Sequence, residues 1–251
     1  MSQPLFNLDG CVALVTGAGR GMGRGVAETL ARQGATVAVN DFYPERAEAA
    51  AAELRALGLK ALAAPADVTD YAAVQAMVAR VKEAAGAVDI YVSNAGVPTS
   101  GMGYARFLDS RPEDWERFVQ LNLYGLMNGC HAVLPGMLEK GWGRIVAITS
   151  ESWRAGVPMG IAAYAASKAG VVGFVRQLAA ETGRQGVTVN ALSLGTMNNW
   201  EGSDAVARKS AFVPRAGSPA DVGAGVAYLA SREAEWVTGQ VYPLNGGALT
   251  A

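Results

Sequence analysis

Short apolar runs alternate with amphipathic segments along the whole of this 251-residue chain, and that alternation admits few architectures. Candidate strands are Cys11–Thr16, Thr36–Asn40, Lys60–Ala64, Val88–Ser93, Arg144–Thr149, Val187–Leu192 and Gln240–Leu244. Ile145-Val146-Ala147-Ile148 is apolar at every position, so both faces of that strand must be covered. Parallel strands under helices on both sides make that demand. The intervening segments carry helix signals. Ala47–Leu57 is rich in Ala, Glu, Arg and Leu and is stopped by Gly58. Ser218-Pro219-Ala220-Asp221 offers an N-cap, a first-turn proline and an acid three residues on. Ala163–Glu181 is the most apolar helix, which predicts burial on two sides.

Composition removes several function classes. With 51% hydrophobic and 17% charged residues the chain can bury a sizeable core, and one α/β domain over 1–251 is expected. A net charge of −1 provides no basic field for nucleic acid or an anionic membrane. Gly and charged residues interrupt every apolar stretch short of a membrane span, and residues 1–9 do not spell a secretory signal. Cys11 and Cys130 are too few for a disulfide framework, and His131 is the only histidine, so no metal cluster is expected. His131 itself is expected to be a packed or capping side chain. A cytoplasmic, metal-free protein is expected.

Two motifs carry chemistry. The first strand runs into Thr16-Gly17-Ala18-Gly19-Arg20-Gly21-Met22-Gly23, and a helix follows. Glycines there let the backbone approach a pyrophosphate, whose charge the helix N-terminus favours. A lone glycine-rich loop can also be an ordinary turn; its place after the first strand of an α/β pattern favours the nucleotide. Tyr164 and Lys168 lie four apart in Tyr164-Ala165-Ala166-Ser167-Lys168, on one helix face. A free phenol, pKa about 10, is only about one part in a thousand ionised at pH 7. A nearby ammonium can lower that pKa and make a general acid/base for an alcohol proton. Alone, such a pair is as readily a surface contact. Asp41 follows the second strand, where a carboxylate would accept from both adenine-ribose hydroxyls and repel a 2′-phosphate, so NAD is expected over NADP.

Taken together, and with further motifs in order, the chain resembles the short-chain dehydrogenase/reductase family, in its ordinary single-domain branch. Those motifs are Asp67-Val68, Asn94-Ala95-Gly96, Asn122 in Leu121-Asn122-Leu123, Ser150 after the fifth strand, Val189-Asn190-Ala191 and Asn245-Gly246-Gly247. The resemblance implies a Rossmann-type doubly wound α/β sheet of about seven mostly parallel strands, with helices on both faces and a nicotinamide dinucleotide at the switch point. It implies a catalytic set of Asn122, Ser150, Tyr164 and Lys168. It places cofactor contacts at Gly17, Arg20, Gly21, Met22, Gly23, Asp41, Asp67, Val68, Asn94, Ala95, Gly96, Gly195 and Met197, besides Tyr164 and Lys168. The substrate mouth, with a small loop region around 193–215, would include Ser152, Trp153, Met159, Met197 and Trp200, along with Met102 and Tyr104. That set suggests an apolar, mid-sized secondary alcohol or ketone, cyclic or aromatic ones included. Glu151 is expected to be solvated.

Three departures from the family pattern stand out: Leu194 where Pro is usual, Asn199 where Thr commonly meets the carboxamide, and Asn245 where Asp is common. The serine register is also open. The family's usual interval back from Tyr164 lands on Glu151, whereas counting along the fifth strand lands on Ser150, with Ser152 the rival. The strand is fixed by its ladder, so Ser150 is preferred and one extra residue is assigned to the following loop. A homotetramer is expected, since the Pro112–Met137 and Ala163–Glu181 helices carry more apolar surface than one sheet face can cover. The competing functions are a non-catalytic dinucleotide-binding sensor and an NAD-bound epimerase or dehydratase.

Overall fold

The computed structural model describes residues 5–98 and 100–250. Seven strands form one sheet: β1 (Val12–Val15), β2 (Thr36–Val39), β3 (Ala61–Ala63), β4 (Ile90–Ser93), β5 (Gly143–Ser150), β6 (Val187–Leu194) and β7 (Val241–Leu244). All pairings are parallel, in the spatial order β3-β2-β1-β4-β5-β6-β7. The chain winds outward in both directions from the boundary between β1 and β4, leaving a crevice beyond the carboxyl ends of those two strands.

Eight α-helices connect the strands among the described residues: α1 (Gly21–Arg32), α2 (Pro44–Ala56), α3 (Tyr71–Ala85), α4 (Pro112–Val119), α5 (Gly125–Lys140), α6 (Ala162–Thr182), α7 (Ser203–Ser210) and α8 (Pro219–Ala230). Strand residues alternate between the two cores, as a pleat requires. Val15, Val37, Val39 and Val146 pack under α1, α2 and α8 against Val26, Leu30, Leu54 and Val226. Leu14, Ala38, Tyr91 and Ile145 face α3, α5 and α6 and meet Met77, Leu126, Val133 and Val175. The Ser218 capping box forms as expected, with Ser218 N–H donating to the Asp221 carboxylate at 2.8 Å.

One expectation about the helices needs correction. The apolar segment from Pro112 to Met137 is not one helix, because Gln120–Tyr124 makes a π-helical turn between α4 and α5. Such turns occur mostly as single bulges and concentrate at functional sites. As expected, α6 packs on two sides, against β5 and β6 and against α4 with the π-helical turn. Its large apolar residues Val171, Val172, Val175 and Leu178 are covered within the chain, and its outer face carries exposed Ala166, Ala169, Gly173, Arg176 and Gln177. Small residues, rather than surplus apolar area, mark that face. Among the described residues no helix is long and apolar enough to cross a membrane, and no group of three His, Cys, Asp or Glu could hold a metal ion.

Candidate active site

The carboxyl ends of β1, β2 and β4 converge on the glycine loop. Thr16 Oγ1 accepts from the backbone N–H groups of Asn94 (3.0 Å) and Ala95 (3.1 Å). Asn94 Nδ2 donates back to the carbonyls of Thr16 (2.9 Å) and Gly17 (3.1 Å), so the turns after β1 and β4 are stitched together. Gly21 has φ +59° and faces open space, whereas a Cβ at Gly23 would collide with the Gly17 carbonyl. One glycine leaves room for a ligand; the other lets α1 close on the loop. No side chain caps the amides that open α1, and no acid occupies its first turn. An uncapped helix start behind an open glycine turn fits a pyrophosphate.

Asp41, at the end of β2, is buried, and both its carboxylate oxygens are held: Oδ2 accepts from Gly19 N–H at 3.2 Å and Oδ1 from Tyr43 N–H at 3.1 Å. Arg46, absent from the residues read out of the sequence, lies beside the loop. Its guanidinium stacks 4.1 Å over Tyr43, and its Cβ would touch a Cβ placed on Gly19. Arg20 is exposed and Met22 is half-buried against the core beneath α1. Asp67 Oδ1 is occupied by Thr69 N–H and Oγ1, each at 2.8 Å, and Val68 is buried against Gly125.

On the other side of the crevice, Tyr164 stands in the first turn of α6 and lines a small cavity with Phe107, Trp115, Arg117, Phe118 and Gly160. Phe118 packs edge-on against its ring at 5.9 Å between centroids. Burial pushes the Tyr164 phenol above its ordinary pKa, while its hydrogen bond with the Ser150 hydroxyl pulls it down. Lys168 is fully buried one turn on; its Nζ donates to the Ile148 carbonyl at 2.8 Å and lies 5.7 Å from the Tyr164 ring centroid. Burial alone brings the Lys168 ammonium down to about 7. Lys168 is not among the groups that shift the phenol here. The lysine is desolvated toward its neutral form and its donor is turned to a strand carbonyl.

Asn122 sits in the π-helical turn, buried, and its Nδ2 donates to Ser167 Oγ at 2.9 Å. Its Oδ1 is buried without a protein partner. A Cβ at Gly96 would lie 2.8 Å from Lys168 Nζ and 2.9 Å from Asn122 Oδ1, so these three residues enclose one spot. Four residues far apart in sequence thus meet at the ends of β4 and β5 and the start of α6.

A family model described as Enoyl-(Acyl carrier protein) reductase matches residues 17–249. Nodulation protein G of Azospirillum brasilense is 39% identical over 94% of this chain and 97% of that protein. The 3-oxoacyl-[acyl-carrier-protein] reductase FabG of Vibrio harveyi is 36% identical over 96% of this chain and 98% of that protein. A solved gluconate 5-dehydrogenase from Burkholderia cenocepacia J2315, in complex with NADP and tartrate, superposes with a TM-score of 0.91 at 31% identity and 98% coverage of both chains. The chain belongs to the short-chain dehydrogenase/reductase family. It is an oxidoreductase of that family, whose fold binds a nicotinamide dinucleotide.

Against the family pattern, several positions behave differently from expectation. Glu151 is not solvated: it is 9% exposed and its Oε2 accepts from Arg154 and Asn245. Trp153 does not join the Tyr164 cavity; its Nε1 donates to Ser193 Oγ at 3.1 Å, and it lines a separate cavity of about 350 Å³ with Arg176 and Gln240. The Met197 side chain is 7% exposed and packs into the core against Gly217, so it is not presented to a substrate. Met159 and Trp200 are each about half exposed on the rim, and Asn199 is exposed beside Trp200. Gly195 lies against Asn245, where a Cβ would come 2.8 Å from the Asn245 Cα. His131 is exposed and packs edge-on against the Tyr71 ring, its Nδ1 paired with the Tyr71 hydroxyl at 2.7 Å.

Proposed function

We propose that this family member interconverts a secondary alcohol and its ketone with NAD as partner, Tyr164 exchanging the proton with the substrate oxygen. The observation that carries this reading is Tyr164 lining a cavity, with the Ser150 hydroxyl acting on its phenol and Lys168 and Asn122 buried nearby. The bound dinucleotide supplies the hydride acceptor or donor. Gly17, Gly21 and Gly23 would receive its pyrophosphate, with Arg20 at the loop's exposed edge, while Asn94, Ala95 and Gly96 back its middle. Ser150 would donate to the substrate oxygen and stabilise alkoxide charge as it develops. Lys168 would hold the nicotinamide ribose, and Asn122 Oδ1, which lacks a protein donor, would take a proton-relaying water beside it.

An apolar substrate of medium size suits the exposed Val97, Tyr104, Phe107, Met159 and Trp200, with 193–215 as the loop region at the mouth. FabG and the gluconate dehydrogenase are named for oxo–hydroxy chemistry, which supports the reaction class. The direct test is a panel of cyclic, aromatic and aliphatic secondary alcohols, followed by nicotinamide absorbance. Turnover is expected within it. NAD binding with no turnover across the panel would instead favour a dinucleotide sensor.

The NAD preference rests on Asp41. A carboxylate clamped by two backbone donors cannot swing away from a 2′-phosphate, and the like charges repel. Arg20 and Arg46 are the opposing cations, and the complex with NADP shows that a relative of this fold accepts the phosphate. The clamped carboxylate is nonetheless expected to dominate: kcat/KM for NAD should exceed that for NADP by about tenfold or more, and Asp41→Ser should narrow the gap. Equal values for the two cofactors in the native chain would refute the assignment.

A homotetramer is the expected assembly. The small residues on the outer face of α6 would let a second α6 approach closely. Light scattering at micromolar concentration should give four times the chain mass, and a monomeric mass would contradict it.

A further inference from the structure

We infer that Glu151 and Asn245 form a latch that positions Ser150 by tying the loop after β5 to the chain beyond β7. The inference rests on the role given to Ser150 above. Glu151 opens the 3₁₀ turn Glu151–Trp153 directly after Ser150. Besides its interaction with the Tyr164 phenol, Ser150 is fixed weakly, its Oγ accepting from Ser152 N–H at a long 3.3 Å. Glu151 is held through one of its oxygens, while Oε1 is buried without a hydrogen-bond partner. Its Oε2 accepts from Arg154 Nε (2.9 Å) and Nη2 (2.8 Å) and from Asn245 Nδ2 (3.1 Å).

Asn245 is itself anchored before it meets Glu151. Its Nδ2 also donates to the Leu249 carbonyl at 2.9 Å, its Oδ1 accepts from Gly247 N–H at 2.8 Å, and Gly195 fits against its backbone. The Trp153–Ser193 hydrogen bond pins the far end of the same turn to β6. The turn that carries Ser150 is thus fastened to the ends of β6 and β7. A buried carboxylate needs donors. Asn245 supplies one, which the aspartate common at this place in the family could not do while ionised. Glu151 beside Ser150 and Asn245 beyond β7 therefore fit as a pair, acceptor to donor.

The test is a set of four variants assayed for kcat with NAD and the best alcohol found. Asn245→Asp should set a second carboxylate against Glu151, whose neighbouring cations are Arg154, bound to it, and Arg176 of α6, which lines the same cavity as Glu151. Its kcat at pH 8 should fall roughly ten- to a hundredfold, the loss typical of a slightly misplaced group, with KM for NAD unchanged. The loss should shrink toward pH 5, where one shared proton restores a donor between the two carboxylates. The exchange Glu151→Gln/Asn245→Asp keeps the pair's charge and reverses the donor, so it should recover most of the activity. In a Ser150→Ala background, Asn245→Asp should cost nothing further.

An equal loss in both backgrounds, or no recovery in the exchanged pair, overturns the latch. If Asn245→Asp does not fold, Glu151→Ala with and without Ser150→Ala repeats the cycle. Full activity in Ser150→Ala alone would instead overturn the role of the serine, so the two failures are told apart.

Discussion

Tyr164→Phe is expected to lower kcat by about 10²–10⁴-fold while leaving NAD affinity nearly unchanged, since it removes one hydroxyl and keeps the ring. The ring packs on Phe118 and would stay in place, so the loss would report chemistry rather than folding. The direction of the phenol's shift adds a pH signature. Burial holds Tyr164 protonated above its ordinary value, so the form that donates a proton to a ketone predominates at neutral pH. Alcohol oxidation needs the phenolate and should rise as pH climbs toward the raised pKa; ketone reduction should fall over the same range. Lys168, brought to about 7, loses its charge earlier in that titration and would weaken its help to the phenolate as pH rises. Tyr164→Phe should flatten the tyrosine limb of both profiles. Retention of more than a tenth of kcat would remove Tyr164 from the role.

The sheet was legible in the sequence because buried parallel strands must be apolar on both faces. Each of the seven runs proposed became a strand, displaced by a residue or two at its ends, and the outward winding of the sheet was implied by the resemblance alone. The Gly loop, Asp41 and the Tyr164–Lys168 pair were legible for the same kind of reason: local spacing fixes local geometry, whereas Asn94 came with the resemblance. What could not be read depends on long-range partners. Nothing near Glu151 in sequence announces Asn245, 94 residues on, so its carboxylate was expected in water. Trp153 and Met197 were placed at the mouth by their segments, but side-chain direction decides, and Ser193 and the core drew them elsewhere. The π-helical turn at Asn122 carries no periodic signal, because one bulged turn inside an apolar stretch leaves the pattern nearly unchanged. The helix pattern did anticipate that Tyr164 and Lys168 share a face. It could not anticipate how deeply Lys168 is buried, which brings its ammonium down to about 7.

The serine offers the sharpest remaining discrimination. Ser150 ends β5 in register with Leu194 of β6, and its hydroxyl hydrogen-bonds the Tyr164 phenol. Ser152, two residues on, has left the strand; it lies in the 3₁₀ turn, and its own Oγ is buried without a partner. A donor aimed at a developing alkoxide in a water-poor site is worth far more than the same donor in water. Ser150→Ala should therefore cost at least about 2.7 kcal/mol of transition-state stabilisation, about a hundredfold in kcat, with little change in thermal stability. Ser152→Ala should be mild on activity, because it deletes a hydroxyl that bonds nothing, and its effect on stability should be near neutral. Its backbone N–H, which donates to Ser150, survives the substitution. The reverse pattern, with Ser152→Ala crippling and Ser150→Ala mild, would move the donor along the loop. It would also leave the loop between that serine and Tyr164 one residue shorter than the family's usual interval rather than one longer.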